Sequence, residues 1–313
     1  MKESGMPNPR LLEGRVVIVT GGGRGLGRSH CLELADHGAT VVVNDLGVGL
    51  AGEQSEGNPA QEVVDAITAA GGTATIGSGS ASDWAAMEQV VASTVDRFGR
   101  LDAIVNNAGI LRDATITNLG EKDWDAVLDV HLKGTFTLTH HACAHWRAEH
   151  KAGRPVSGRI VNTTSGAGLA GNVGQAAYSA AKAGIIALTQ VTAMEGSRYG
   201  VTANAISPIA ATRMMASAGL GTEVTEGWSP LDPANASPVV AWLCSQESGW
   251  ITGQVLRIDG NSLIAMESWR TGRTHVARSG ERLDATEIDL GMRRALGAFP
   301  GGLAALGSPA GSR

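Results

Sequence analysis

Cysteine, aromatic side chains, basic charge and long apolar runs are all scarce in this 313-residue chain. Its three cysteines, Cys31, Cys143 and Cys244, have no metal-ligand spacing and read as reduced, buried thiols of a cytoplasmic protein. Lysine and arginine number 25 against 30 acidic residues, a formal net charge of −5, so no basic footprint argues for a nucleic-acid partner. No apolar stretch approaches the length of a membrane span, and Met1 to Arg15 is polar and lacks a signal core. The C-terminal Gly311-Ser-Arg313 is not a peroxisomal address. Few aromatics with 43 glycines suit tight strand–helix turns and close helix packing.

What is present is a nucleotide-type site. Val16-Val-Ile-Val-Thr20 is a β-branched run that ends in Gly21-Gly-Gly-Arg24-Gly25-Leu26-Gly27, and a helical pattern then continues to His37, where Gly38 stops it. Strand, glycine turn and helix N-terminus together make an anion site, because backbone N–H groups and the helix dipole face a phosphate. A second strand, Val41-Val-Val-Asn-Asp45, ends in a carboxylate suited to ribose hydroxyls and repulsive to a 2′-phosphate, with Leu46 beside it. That favours NAD over NADP; Arg24 is the contrary signal, and Asp45 is weighed above it.

A second constellation lies further on. Arg159-Ile-Val-Asn-Thr-Thr164 reads as a buried parallel strand with Ser165 at its carboxyl end, and Tyr178 and Lys182 share one face of the helical run from Ala176 to Leu188. A free tyrosine titrates near pH 10, so an ammonium beside it is expected to lower that pKa towards the range of general acid–base chemistry. Ser165 is placed to hold a substrate oxygen near the tyrosine. Tyr-x-x-x-Lys alone is a short motif; its position downstream of a glycine-rich nucleotide site decides in its favour.

Between these stretches, Ala60 to Ala70 and Asp83 to Phe98 read as helices and Thr73 to Gly77 as a strand. Leu101 to Val105 is a fourth strand, followed by Asn106-Asn107-Ala108-Gly109. Glu121 to His150 reads as one long helix carrying five histidines; His141 and His145 stand at i and i+4, but without further ligands they read as a solvated face rather than a metal site. Val201 to Ile206 and Gln254 to Ile258 are the sixth and seventh strands, with Pro208 and Ile209 after the sixth. Arg213 to Asp232, with Met214, Met215, Leu220 and Trp228, has the look of a substrate lid or of core packing. The alternation gives an α/β fold: one doubly wound Rossmann-type domain over residues 12–262 with a seven-stranded parallel sheet, and a C-terminal tail over residues 263–313.

Thr-Gly-x-x-x-Gly-x-Gly, the Asn-Asn-Ala-Gly quartet and Ser…Tyr-x-x-x-Lys in this order resemble the short-chain dehydrogenase/reductase family. Val43-Asn-Asp-Leu-Gly47, Asn106 to Asp113, Asp129 to Phe136, Tyr199 to Asn204 and Glu267 to Gly272 look closer still to the (R)-3-hydroxyacyl-CoA dehydrogenase unit of D-bifunctional β-oxidation proteins and its single-domain bacterial relatives. The resemblance implies Ser165, Tyr178 and Lys182 as catalytic residues. It implies Gly21, Arg24, Gly25, Leu26, Gly27, Asp45, Leu46, Asn107, Ala108, Gly109, Tyr178, Lys182, Pro208 and Ile209 as cofactor contacts, with Pro208 and Ile209 only approximate matches. The adenine-binding acid usual after the third strand is not carried over, since Ser80 and Ala81 stand there. The family usually has asparagine where this chain has His131, holding a water that links the lysine to solvent. Histidine can hold the same water and carry a proton itself.

The expected function is therefore NAD-dependent interconversion of a secondary alcohol and a ketone, on a (R)-3-hydroxyacyl-CoA or, second, a hydroxysteroid. A non-catalytic NAD(H)-binding regulator and a metal hydrolase built on the histidine helix are the rivals from other classes. Small residues along the Tyr178 helix favour a homodimer or homotetramer.

Overall fold

The computed structural model of the chain describes residues 10–48, 57–210 and 228–267, with isolated positions at Val276, Ile288 and Arg293. Its strands are β1 (Val16–Thr20), β2 (Thr40–Asn44), β3 (Thr73–Gly77), β4 (Ala103–Asn106), β5 (Gly158–Thr163), β6 (Val201–Ile209), β7 (Val255–Asp259) and β8 (Ser262–Met266). They lie in one sheet in the order β3-β2-β1-β4-β5-β6-β7-β8. The first seven are parallel, and β8 runs antiparallel to β7. β1 and β5 are buried along their whole length, as strands covered by helices on both faces must be. Strand order reverses at β1 and β4, which opens the ligand crevice of a doubly wound sheet at their carboxyl ends.

Helices α1 (Gly25–Asp36), α2 (Pro59–Ala69), α3 (Trp84–Phe98), α4 (Glu121–Leu128), α5 (Gly134–Lys151), α6 (Gly166–Ala170), α7 (Ala176–Gly196) and α8 (Ser237–Cys244) cover the two faces. One core cluster joins Val17, Val19 and Val43 to Cys31, Leu34 and Val240; the other joins Ile18, Val42 and Ile104 to Val91, Leu138 and Trp146. Alternate residues of β1 thus feed opposite layers, as the pleat requires. Asp83 caps α3 by accepting from Ala86 N at 2.9 Å, and Gly99 ends the helix at φ 74°, a left-handed conformation that suits glycine.

Two expectations are corrected. The sheet has an eighth strand: Asp259 pairs with Ser262 across Gly260-Asn261, and Gly260 has φ 54°. A two-residue Gly-Asn loop is a hairpin signal, and it carries the sheet to Met266, where the compact unit also ends. The single long helix is also interrupted. Asp129–Lys133 forms a π-helical turn between α4 and α5, with the Gly134 N–H donating to Asp129 O. The inserted residue rotates His131 inward, where it is 1 % exposed. Met214, Met215 and Leu220 lie outside the described residues. Trp228 is described and is 64 % exposed.

Candidate active site

The crevice at the sheet's carboxyl edge is a cavity of about 590 Å³. Gly21, Arg24, Gly25, Leu26, Asp45, Leu46, Asn107, Ala108, Gly109, His131, Ser165, Tyr178, Lys182, Pro208 and Ile209 all line it. Among the site residues expected from the sequence, only Gly27 is not on its wall. A Cβ on Gly27 would stand 1.9 Å from Gly21 O and 2.7 Å from Asn107 Nδ2, so this glycine lets the loop fold onto the start of α1.

The glycine loop is held by side chains from below. Thr20 Oγ1 accepts from Asn107 N at 3.1 Å and Ala108 N at 3.3 Å, while Asn107 Nδ2 donates to Thr20 O and Gly21 O at 3.3 and 3.1 Å. Asn107 is thereby a clamp on the loop backbone, and Thr20 is its partner, which the sequence reading missed although it opens the Thr-Gly motif. Arg24, the N-cap of α1, makes no side-chain cap hydrogen bond, so the first-turn N–H groups of the helix are offered to the crevice. Asp45 Oδ2 accepts from Gly23 N at 2.9 Å and Oδ1 from Gly47 N at 2.8 Å. Each oxygen keeps a lone pair for a further donor. A Cβ on Gly23 would come 3.0 Å from this carboxylate and 2.7 Å from Pro59 Cβ. An uncapped helix start, a side-chain-free turn and a cleft-lining carboxylate fit a dinucleotide.

The reacting end is built on β5 and α7. Ser165 caps the short α6, with Ala167 N donating to its Oγ at 3.2 Å, and its hydroxyl lies near enough to the Tyr178 phenol to favour the phenolate. Lys182 is 3 % exposed; its Nζ donates to Thr163 O at 2.7 Å, and Thr164 Oγ1 donates to Lys182 O at 2.8 Å. A side chain on Gly168 would strike the Lys182 backbone at 2.7 Å, so α6 packs directly on α7 here.

The electrostatics differ from the expectation. Burial raises the Tyr178 pKa above its ordinary value, opposed by the Ser165 hydrogen bond. Burial pushes Lys182 down to about 7. The reason is geometric: Nζ is turned to the Thr163 carbonyl and stands 5.6 Å from the centroid of the Tyr178 ring. The phenol is therefore tuned by its serine contact and its burial rather than by a neighbouring ammonium.

His131 meets the site from behind, its ring edge-on to Tyr178 with centroids 5.2 Å apart. Its Nε2 lies 2.7 Å from Ile110 O and 3.1 Å from Ile110 N, and its buried Nδ1 has no partner among the described residues. Burial, then the Lys182 charge, push its pKa down to about 3. The ring is neutral at working pH, so it can hold a water but is ill suited to carry a proton as imidazolium. Gln175 Nε2 donates to Asp113 Oδ2 at 2.9 Å and ties the loop after β4 to the start of α7. No group of three or more metal-ligating side chains occurs among the described residues, and no helix there is long and apolar enough to cross a membrane.

A doubly wound sheet with a glycine turn after β1 and a Ser–Tyr–Lys group after β5 defines a dinucleotide oxidoreductase. Residues 15–222 match the short chain dehydrogenase family, and the chain belongs to it. It is an oxidoreductase that acts on CH–OH groups. It is 43% identical over 294 residues to the hydroxyacyl-CoA dehydrogenase ChsB1 of Mycobacterium tuberculosis, covering 91% of this chain and 90% of that protein. It is 41% identical to peroxisomal multifunctional enzyme type 2 of Mus musculus over 77% of this chain, and spans 31% of that longer protein. Among solved structures, a short chain dehydrogenase from Mycobacterium avium superimposes with a TM-score of 0.85 at 47% identity, covering 95% of this chain and all (100%) of the other.

Proposed function

We propose that the protein is an NAD-dependent dehydrogenase that interconverts (R)-3-hydroxyacyl-CoA and 3-oxoacyl-CoA thioesters. The observation that carries this reading is that Ser165, Tyr178 and Lys182 share one cleft with the glycine loop and Asp45. The ChsB1 and multifunctional-enzyme relatives support the acyl-CoA substrate.

In this reading the Ser165 hydroxyl donates to the carbinol oxygen and sets it against Tyr178, which accepts the hydroxyl proton in oxidation and returns it in reduction. A bound nicotinamide supplies the hydride acceptor at the carbinol carbon. Gly21 to Gly27 and the start of α1 would hold the cofactor's phosphates, Asp45 and Leu46 would meet its adenosine ribose, and Asn107 to Gly109, Pro208 and Ile209 would hold the rest of it. The charge of Asp45 opposes a 2′-phosphate, which supports NAD. Lys182, pushed down to about 7 by burial, would bond the nicotinamide ribose, and the unpartnered His131 Nδ1 would hold a water that passes the proton towards solvent.

Ala180, Ala183, Ala187, Val191 and Met194 form an exposed apolar stripe on α7, Val191 being 45 % and Met194 70 % exposed. Such a stripe supports a homodimer or homotetramer. The three unpaired cysteines support a cytoplasmic location.

The test is a screen of (R)- and (S)-3-hydroxyacyl-CoAs and hydroxysteroids with NAD and NADP, read by nicotinamide absorbance. The (R)-thioesters with NAD should give the highest kcat/KM. Turnover of hydroxysteroids alone would overturn the substrate, and a preference for NADP would overturn the cofactor.

A further inference from the structure

The cleft is basic in an acidic protein. Among the described residues, Arg24, Lys182 and Arg257 line it against the one carboxylate of Asp45, while the chain as a whole carries a formal net charge of −5. Arg24 stands at the glycine loop and Lys182 is tied to Thr163, which leaves Arg257 without a task.

Arg257 lies near the end of β7, between Leu256 and Ile258, whose side chains are buried in the layer of α1 and α8. Alternation turns Arg257 to the opposite face, the face of α7. It is half-buried. Among the described residues no hydrogen bond or ion pair satisfies its guanidinium, and Asp259, two residues on along the same face, is not bridged to it. Across the sheet it pairs with Ser207 on β6 and Ile264 on β8, neither of them charged.

Its place in the sheet separates it from the dinucleotide's phosphates. β7 is four strand positions from β1, roughly 19 Å at the usual strand spacing. It is two positions from β5, whose end carries Ser165, roughly 10 Å on the side away from the glycine loop. A guanidinium there enters the cleft beside the reacting end, on the side away from the glycine loop. Its fork of donors matches a phosphate in two parallel bonds.

We propose that Arg257 binds a phosphate of the substrate's coenzyme A moiety and so sets specificity for CoA thioesters. This rests on the acyl-CoA reading above. The experiment is steady-state kinetics of the full chain and its R257Q and R257K variants. The substrates are one (R)-3-hydroxyacyl group carried on coenzyme A and on the neutral, phosphate-free N-acetylcysteamine, and free coenzyme A is the competing inhibitor.

Arg257→Gln should raise KM for the CoA thioester and Ki for free coenzyme A about tenfold or more, the scale of a lost charge-assisted hydrogen bond. Its kcat, its KM for NAD and its KM for the N-acetylcysteamine thioester should stay at wild-type values, and Arg257→Lys should recover part of the loss. A variant with unchanged KM and Ki, or with KM raised equally for both thioesters, overturns the assignment while leaving the acyl-CoA reading intact. A wild-type enzyme that turns over neither thioester and is not inhibited by coenzyme A overturns both.

Discussion

His131 occupies the space that a side chain at position 109 would need: a Cβ on Gly109 would stand 2.3 Å from His131 Cε1. The glycine after β4 and the histidine of the π turn are therefore one packing unit, and the ring's Nε2 faces the backbone of the next residue, Ile110. Gly109→Ala should destabilise the fold by about 1–3 kcal/mol, the usual cost of overpacking. In a His131→Asn background the shorter side chain should remove most of that cost. A double-mutant cycle by denaturant unfolding measures the coupling; additive effects would separate the two residues.

How much of this was legible before any coordinates depended on the kind of signal. The glycine turn after β1 and the i, i+4 spacing of Tyr178 and Lys182 are local signals, and the residues they single out share one cleft. The Gly260-Asn261 turn was equally local but went unread, because Ser262–Met266 shows no alternation; four of its five residues are exposed. The π turn left no trace in composition, since a single inserted residue keeps the helical pattern on both sides. The direction of the Tyr178 shift was illegible for another reason. It depends on where a flexible ammonium goes, and the Thr163 carbonyl that takes it belongs to a different element. Arg257 read only as one more strand residue until the sheet order set it beside the cleft.

Tyr178→Phe should keep NAD affinity near wild type while turnover falls by about 10²-fold or more, the scale of general acid–base catalysis. The burial that raises the phenol's pKa adds a direction with pH. Oxidation needs the phenolate, so its rate should still be climbing above neutrality, while ketone reduction, which needs the phenol, should not fall over the same range. Initial rates in both directions across pH 6 to 10, a range ending at the ordinary tyrosine pKa, read this. A wild-type oxidation rate that is flat throughout, with the Tyr178→Phe variant fully active, would remove Tyr178 from the chemistry.

Asp45 holds the glycine loop through Gly23 N and lines the cleft, where the proposed function gives it the adenosine ribose, so its removal should have two consequences. Asp45→Ala should weaken NAD binding and narrow the preference over NADP by roughly tenfold, since one charge-assisted hydrogen bond is worth about 1.5–3 kcal/mol. Asp45→Asn, which keeps an acceptor for Gly23 N, should retain more stability than Asp45→Ala while narrowing the preference similarly. Calorimetric titration of both cofactors and a thermal melt distinguish the two effects; an unchanged cofactor ratio in both variants would assign the discrimination elsewhere.

Acid stability follows from the buried imidazoles. His131 and His30 are held down to about 3 by burial, against an ordinary value near 6.5. In the window between those values the unfolded chain binds protons that the folded chain refuses, so stability rises with pH there and is lost as pH falls through it. Below about 3 the folded state would protonate too and the slope from these groups would end. His30 Nδ1 is bonded to Ser237 Oγ at 2.9 Å and fastens α1 to the start of α8, and neither residue lines the cleft, so it serves as the internal comparison. His131→Asn removes one titrating group from the site and should flatten the fall in unfolding free energy between about pH 6.5 and 4, and His30→Asn should do the same without touching turnover. His131→Asn should also keep more activity than His131→Ala, because an amide can hold the relay water and a methyl group cannot. Equal acid slopes in wild type and His131→Asn would mean that the ring titrates normally and is not sealed behind Tyr178. Wild-type turnover in His131→Ala across pH 6 to 9, a range that brackets the ordinary imidazole and lies above its buried value, would leave His131 with packing alone.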